Sequence, residues 1–452
     1  MKTTILGGAL AATVLTAAAH ADFNAALADY KNGNYDSARR QFTAMAELGD
    51  CSSQFNLGAM VLQGKGGAKD VGAGVGWLEA AAANGCQQLV GGRVAAAKGT
   101  LSAEDEHNAA DIVAHYGHEA LRAAGIVDPD LACRDRSEAT VLEATAAEYP
   151  GAGNHRNGFV IGELTIGVDG RPRDPEILLA APDEAFTAAA VEAWLHSRFT
   201  PATHHGTAVE SRLQVRLPFT AAGAEPLWSS APYKDKRAAA EAGDPAAEYL
   251  VGLAATGDPA LGISATRGTQ FVILAARDGN SRAQYWLGEQ QRSVAACHPQ
   301  ANGAAWLRHA AAGGDAAAQL LLATDLLSAK PTDAQVTEAR TLLVHAAGAD
   351  NYYVRKHVVA LLAASPLRAL RDPTTAQQVA FRLEGGAIQS DPQMFEVLAA
   401  AAAAGGNFAV AVSREEEAIH KARGLAWNTQ VMEQRLTSYK GGRAWQGDLF
   451  AG

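Results

Sequence analysis

The chain has 452 residues and little of what most function classes need. Basic charge is in deficit: 38 Lys and Arg stand against 48 Asp and Glu, for a net charge of −10. Phosphate backbones bind to basic faces, so a general nucleic-acid surface is set aside. Long apolar runs are missing beyond the N-terminus, since glycines and Asn407 interrupt the apolar stretch around Ala400. There is no G-x-S-x-G elbow, no H-E-x-x-H pair and no phosphate-cradling glycine loop. The stretch QGKGGAKD lacks the G-K-[ST] that would hold phosphates. Prolines number only 16 and are scattered.

What is present is alanine, within a composition 48% hydrophobic and 19% charged. Alanine is the best helix former and lets helices approach closely. Such a composition buries substantial cores and is not that of a disordered chain. The length allows two to four domains of ~100–200 residues each. At the N-terminus, Lys2 precedes the apolar run Ile5–Ala19, and Ala19-His20-Ala21 has the small-x-small form of a signal peptidase site. The run is short for a membrane span, which needs ~20 residues. We expect a secretory signal at 1–21, with an uncleaved anchor as the alternative. Export implies an oxidising compartment.

Asp244, Asn280, Asp315 and Asp350 follow one another at intervals of 36, 35 and 35 residues. Each closes a similar phrase: AAEAGD, AARDGN, AAAGGD and HAAGAD. A small residue follows the first three at a fixed offset: Gly252, Gly288 and Ala323. Bulky pairs precede the later phrases: Phe271-Val272, Trp306-Leu307 and Leu342-Leu343. Each unit reads as two helices, with an Asp or Asn cap, a small residue at the crossing and a bulky pair filling the gap. Residues 50–85 carry the fullest version: Asp50, Gly58, the glycine loop 64–70, Trp77-Leu78 and Ala80-Ala81. This stretch resembles the Sel-one-like repeat, a relative of the tetratricopeptide repeat; the units at 244–350 resemble degenerate members that lack the glycine loop. Residues 26–42 resemble half a tetratricopeptide unit and 391–419 a fuller one. The resemblance implies stacked helix pairs that bind proteins or peptides, or that only hold up another domain.

Residues 160–217 break the helical pattern. Leu164, Ile166 and Val168 alternate with Glu163 and Thr165, Asp169-Gly170 reads as a hairpin turn, and EILLA returns as a second strand. Asp183 is placed to cap a helix carrying Phe186, Ala190, Ala193 and Trp194 on one face. In the last strand Val209, Leu213, Val215 and Leu217 point inward, while Glu210, Arg212, Gln214 and Arg216 point outward. Strand, strand, helix, strand makes a small antiparallel sheet backed by a helix. With Tyr149-Pro150 before it, the Phe-Thr-Pro-Ala at 199–202 and His205-Gly206, this order resembles the TonB-family C-terminal domain over 149–222. The resemblance implies that a short receptor segment adds as a strand to the sheet edge, here Val209, Arg212, Leu213, Gln214, Val215 and Arg216. A working energy transducer keeps a membrane anchor and a long proline-rich spacer, and this chain departs from both.

The four cysteines, at 51, 86, 133 and 297, allow three pairings. Cys51 and Cys86 hold the same register of successive units. A bridge between them requires the helix starts to converge, because packed helices lie ~8–10 Å apart; buried free thiols are the alternative. His107, Asp111, His115 and His118 share a helical face, read as solvated because one helix cannot close a metal site. His204-His205 reads as part of a turn.

The expected fold is multidomain and mainly α, an α-solenoid with an inserted small β-β-α-β domain. The division is 1–21 signal; 22–125 repeats; 126–148 connecting helix or linker; 149–222 TonB-like domain; 223–232 linker; 233–370 degenerate repeats; 371–452 tetratricopeptide-like helices. The expected protein is a non-enzymatic periplasmic adaptor with no cofactor and no metal. Its partners would be proteins or peptides, among them outer-membrane transporter segments, with no nucleic acid and no membrane span after signal cleavage. A membrane-anchored TonB-type transducer and an exported cell-wall hydrolase are the rivals.

Overall fold

The computed structural model describes residues 23–99, 101–124, 126–127, 136–293, 303–328 and 330–450. The expected signal at 1–21, and Cys133 and Cys297, lie outside the described residues. The fold is mainly helical, with a small sheet region between two helical stretches. Among the described residues no helix is long and apolar enough to cross a membrane.

Helices pack chiefly on their neighbours in sequence. Their starts are set by side-chain caps. Asp50, Asp244, Asn280 and Asp315 accept backbone N–H bonds from Ser53, Ala247, Ala283 and Ala318 at 2.6–2.9 Å. The fourth cap falls one residue later than the spacing predicts: Asn351 caps the helix Tyr352–Ala364. Asp350 is left exposed and pairs with Arg355 at 2.6 Å. At the helix crossings the small residues are sterically required. A Cβ added to Gly288 would lie 2.8 Å from Leu307 Cγ, so a larger residue would push the two helices apart.

The sheet region contains β1 (Arg136–Ser137), β2 (Thr140–Glu143), β3 (Gly158–Ile166), β4 (Pro172–Ala181), β5 (Arg198–Thr200), β6 (Ala202–His204), β7 (Thr207–Val209) and β8 (Ser211–Phe219). The main sheet is antiparallel in the order β4-β3-β8. Two expectations are corrected. Of the expected connecting helix or linker at 126–148, residues 136–137 and 140–143 are strands: β1 pairs with β6 and β2 with β5, so this part joins the sheet region. Val209 is not on β8 either: it lies in β7 and pairs with Ala202 of β6. His205-Gly206 turns that ladder with both residues at positive φ, and the chain then re-enters as β8.

Period-two alternation gives β3 two faces. Val160, Leu164 and Ile166 pack with Phe186, Val191 and Trp194 of the helical segment after β4. Gly162 is needed on this face, since a Cβ there would sit 2.8 Å from the Trp194 ring and 2.7 Å from Glu176 O. Phe159 and Ile161 face the other way, into a core shared with Val251, Val272 and Trp286 of the following helices. The sheet is therefore covered on both faces, by its own helix and by the helical array after it.

Candidate functional site

Among the described residues the strand β8 pairs with β3 alone. Among the described residues no backbone hydrogen bond reaches its other side. Ser211, Arg212, Leu213 and Gln214 line a cleft of 730 Å³ together with Glu163 and Thr165 of β3, Asp174 of β4, and Glu289, Gln290, Arg292 and Leu321 of the helical array. An extended chain entering the cleft would meet unpaired strand N–H and C=O groups. The other edge, β4, faces a smaller cleft of 420 Å³ lined by Ile177, Leu179, Leu383 and Ile388.

The expected inside and outside of β8 need correction. Arg212, Gln214 and Arg216 do not face solvent; they face the helical array. Gln214 donates to Thr256 Oγ1 at 2.9 Å and accepts from Trp286 Nε1 at 3.3 Å. Arg216 pairs with the buried Asp258 at 2.7 Å. Leu213, Val215 and Leu217 do pack on the opposite face, with the core around Trp194. The polar side of the strand is polar because it meets a buried ionic layer, not water.

That layer begins with two like charges. In the β3–β4 register Glu163 lies opposite Glu176, an arrangement that is costly unless a cation bridges it. Arg212 does so, at 3.0 Å to Glu163 and 2.7 Å to Glu176. Burial works against its charge, but Tyr353, Glu163 and Glu176 outweigh burial and push its pKa further up. Arg282 reaches Glu176 at 2.9 Å, and Tyr285 donates to it at 2.9 Å. Farther along β4, Asp174 adopts positive φ (52°), which Asp tolerates. Its N–H donates to Gln393 Oε1 at 3.1 Å. Its carboxylate meets Lys356 at 2.9 Å and His357 at 2.9 Å. Burial would raise the Asp174 pKa, yet His357 and Lys356 hold it well below the usual carboxylate range. Lys356, fully buried, also reaches Asp391 at 2.8 Å. Glu289 on the cleft wall is the contrasting case. Burial pushes it up to about 7, with Arg212 opposing and Glu163 adding to the rise. Among the described residues it has no hydrogen-bond partner.

The remaining sequence candidates stay apart from this site. His107 lies 3.4 Å from Asp111 on an exposed helix surface, and His115 Nδ1 contacts Asp111 O at 2.7 Å. Among the described residues no cluster of three or more His, Cys, Asp or Glu is placed to hold a metal ion. Cys51 and Cys86 form a disulfide with Cα atoms 5.6 Å apart. The convergence it needs comes from the widened helical turn Ala82–Cys86, where Gly85 at φ 111° redirects the chain. Lys356, His357, Asp391 and Glu289 were not foreseen as site residues. The Glu163–Glu176 apposition was the available signal, because a hairpin turning at Asp169-Gly170 sets the two carboxylates side by side.

No protein-family model matches the chain, and no curated protein matches it either.

Proposed function

We propose that the chain is a non-enzymatic interaction adaptor of the periplasm, in which the sheet captures an extended peptide by strand addition along β8. The single observation that carries this reading is the open outer edge of β8, a strand whose residues Ser211–Gln214 also line a 730 Å³ cleft. The β-β-α-β order supports the likeness to the TonB-family C-terminal domain stated from the sequence. On that likeness, a segment of an outer-membrane transporter is one partner of suitable form. The Cys51–Cys86 disulfide supports an oxidising compartment.

The repeats are the second docking element in this proposal. The chain's own sheet fills the helical face that carries Tyr285, Trp286 and Tyr353, so a protein partner takes another face. Phe381 (78% exposed) and Val344 (46% exposed) lie in the helices Pro373–Glu384 and Asp333–Ala346 and offer apolar contact there.

The hydrolase reading gains one observation, a carboxyl pushed up to about 7 in a polar cleft. Two-carboxylate hydrolysis needs a second free carboxylate. Glu163 is engaged by Arg212 and Gln290, and Asp174 by Lys356 and His357. Glu138 and Glu210 remain uncommitted in the same cleft, so the hydrolase reading stands as the rival to be tested.

The test is amide hydrogen exchange on the full chain, with and without nine-residue extended peptides. Strand addition protects alternate amides of Ser211–Phe219. Saturating peptide with no added protection there would refute the proposal.

A further inference from the structure

The charges around the β8 cleft are unevenly committed. Each cation that lines it already has a partner. Arg212 bridges Glu163 and Glu176. Arg292 makes two contacts of 2.7 Å to Asp325. Arg136 donates to Ser293 O at 2.8 Å. The carboxylates are a different matter. Glu138 lies 3.9 Å from Arg136, beyond hydrogen-bond length, and is 64% exposed. Glu210 and Glu289 line the same cleft and make no hydrogen bond among the described residues. The cleft thus presents two carboxylates without a hydrogen bond, Glu210 and Glu289, and a third, Glu138, held only loosely by Arg136.

Resting on the strand-addition reading above, we propose that the occupant of the β8 cleft is an extended segment bearing a Lys or Arg side chain. Its backbone pairs with Ser211–Gln214, and its cation is held among Glu138, Glu210 and Glu289. An anionic segment would meet these carboxylates and be rejected, so charge selects the partner while the strand edge holds it.

The experiment uses the full chain and three labelled peptides of alternating Thr and Val. One carries a central Lys, one a Gln and one a Glu. Fluorescence anisotropy is read at pH 8, where Glu289 is mostly ionised. The Lys peptide is expected to bind roughly tenfold tighter than the Gln peptide, about the effect of one partly desolvated charge pair, with the Glu peptide weakest. Glu289→Gln should shrink the Lys preference, and Glu138→Gln with Glu210→Gln, both exposed, should shrink it independently of any folding change. N-methylation of alternate peptide amides separates the two layers of the argument. Equal binding of all three peptides that N-methylation abolishes overturns the cation selection and leaves strand addition standing. A Lys preference that N-methylation does not touch keeps the cation site and overturns strand addition. Failure of every peptide overturns both, as does a dimer of the chain that the Lys peptide cannot displace.

Discussion

Lys356 is the residue on which the joint between sheet and helices most depends. It is fully buried in the helix Tyr352–Ala364 and contacts Asp174 of β4 at 2.9 Å, Asp391 at 2.8 Å and Gln393 at 2.9 Å. Asp391 caps the next helix but one, Pro392–Ala404, through Gln393 N at 3.0 Å. One ammonium therefore holds a strand and two helices in fixed relation. Lys356→Met keeps the stem's volume and removes the charge. It leaves two buried carboxylates short of their cation, and breaking a buried pair costs about 3–5 kcal/mol. The cost should fall in the lower part of that range. Asp174 retains His357 at 2.9 Å, and Asp391 retains the Tyr352 hydroxyl at 2.8 Å. We expect a loss of about 3 kcal/mol in urea denaturation followed by circular dichroism, with partial recovery in Lys356→Met/Asp391→Asn. The exposed pair Arg423–Glu433 is the control, for which removal should cost under ~1 kcal/mol. A Lys356→Met loss no larger than that control would show that the buried ion pairs do not hold the two elements together.

Two further outcomes are expected. Asp278 is pushed up to about 8 by burial and by the neighbouring Asp50 and Glu248, where the first helical stretch meets the second. The folded chain keeps a proton there that the unfolded chain releases near pH 3.8. The stabilisation is complete below that pH and is lost as pH rises to about 8. Asp278→Asn should flatten the decline in denaturation midpoint across this range, and an unchanged decline would exclude Asp278 as its source. Reducing Cys51–Cys86, which closes a 35-residue loop, should destabilise the first helical stretch by roughly 4 kcal/mol on the chain-entropy view. Limited proteolysis should then cut preferentially within 23–99, and uniform cutting would contradict that localisation.

Local physics made much of this chain legible. Caps at Asp50, Asp244, Asn280 and Asp315 are short-range hydrogen bonds to nearby backbone N–H groups, so residue type and spacing reveal them. The Gly162–Ala181 hairpin is legible for the same reason, through alternation and an Asp-Gly turn. Asp350 misled only because Asn351, its equally capable neighbour, took the cap. The limit appears at β8. Alternation correctly separates Leu213 and Val215 from Arg212, Gln214 and Arg216, but it reports only that two faces differ, not what covers each.

The sequence alone determined a mainly helical chain interrupted by a small antiparallel sheet, because capping, helix propensity and period-two alternation act over a few residues. Only the tertiary structure decided that the polar face of that sheet is buried. Glu176 and Asp174 find Arg282, Lys356 and His357 more than a hundred positions away on helices whose own periodicity says nothing about partners. Which charges a fold neutralises, and which it leaves facing a cleft as it does Glu289, depends on the three-dimensional packing that brings distant segments into contact.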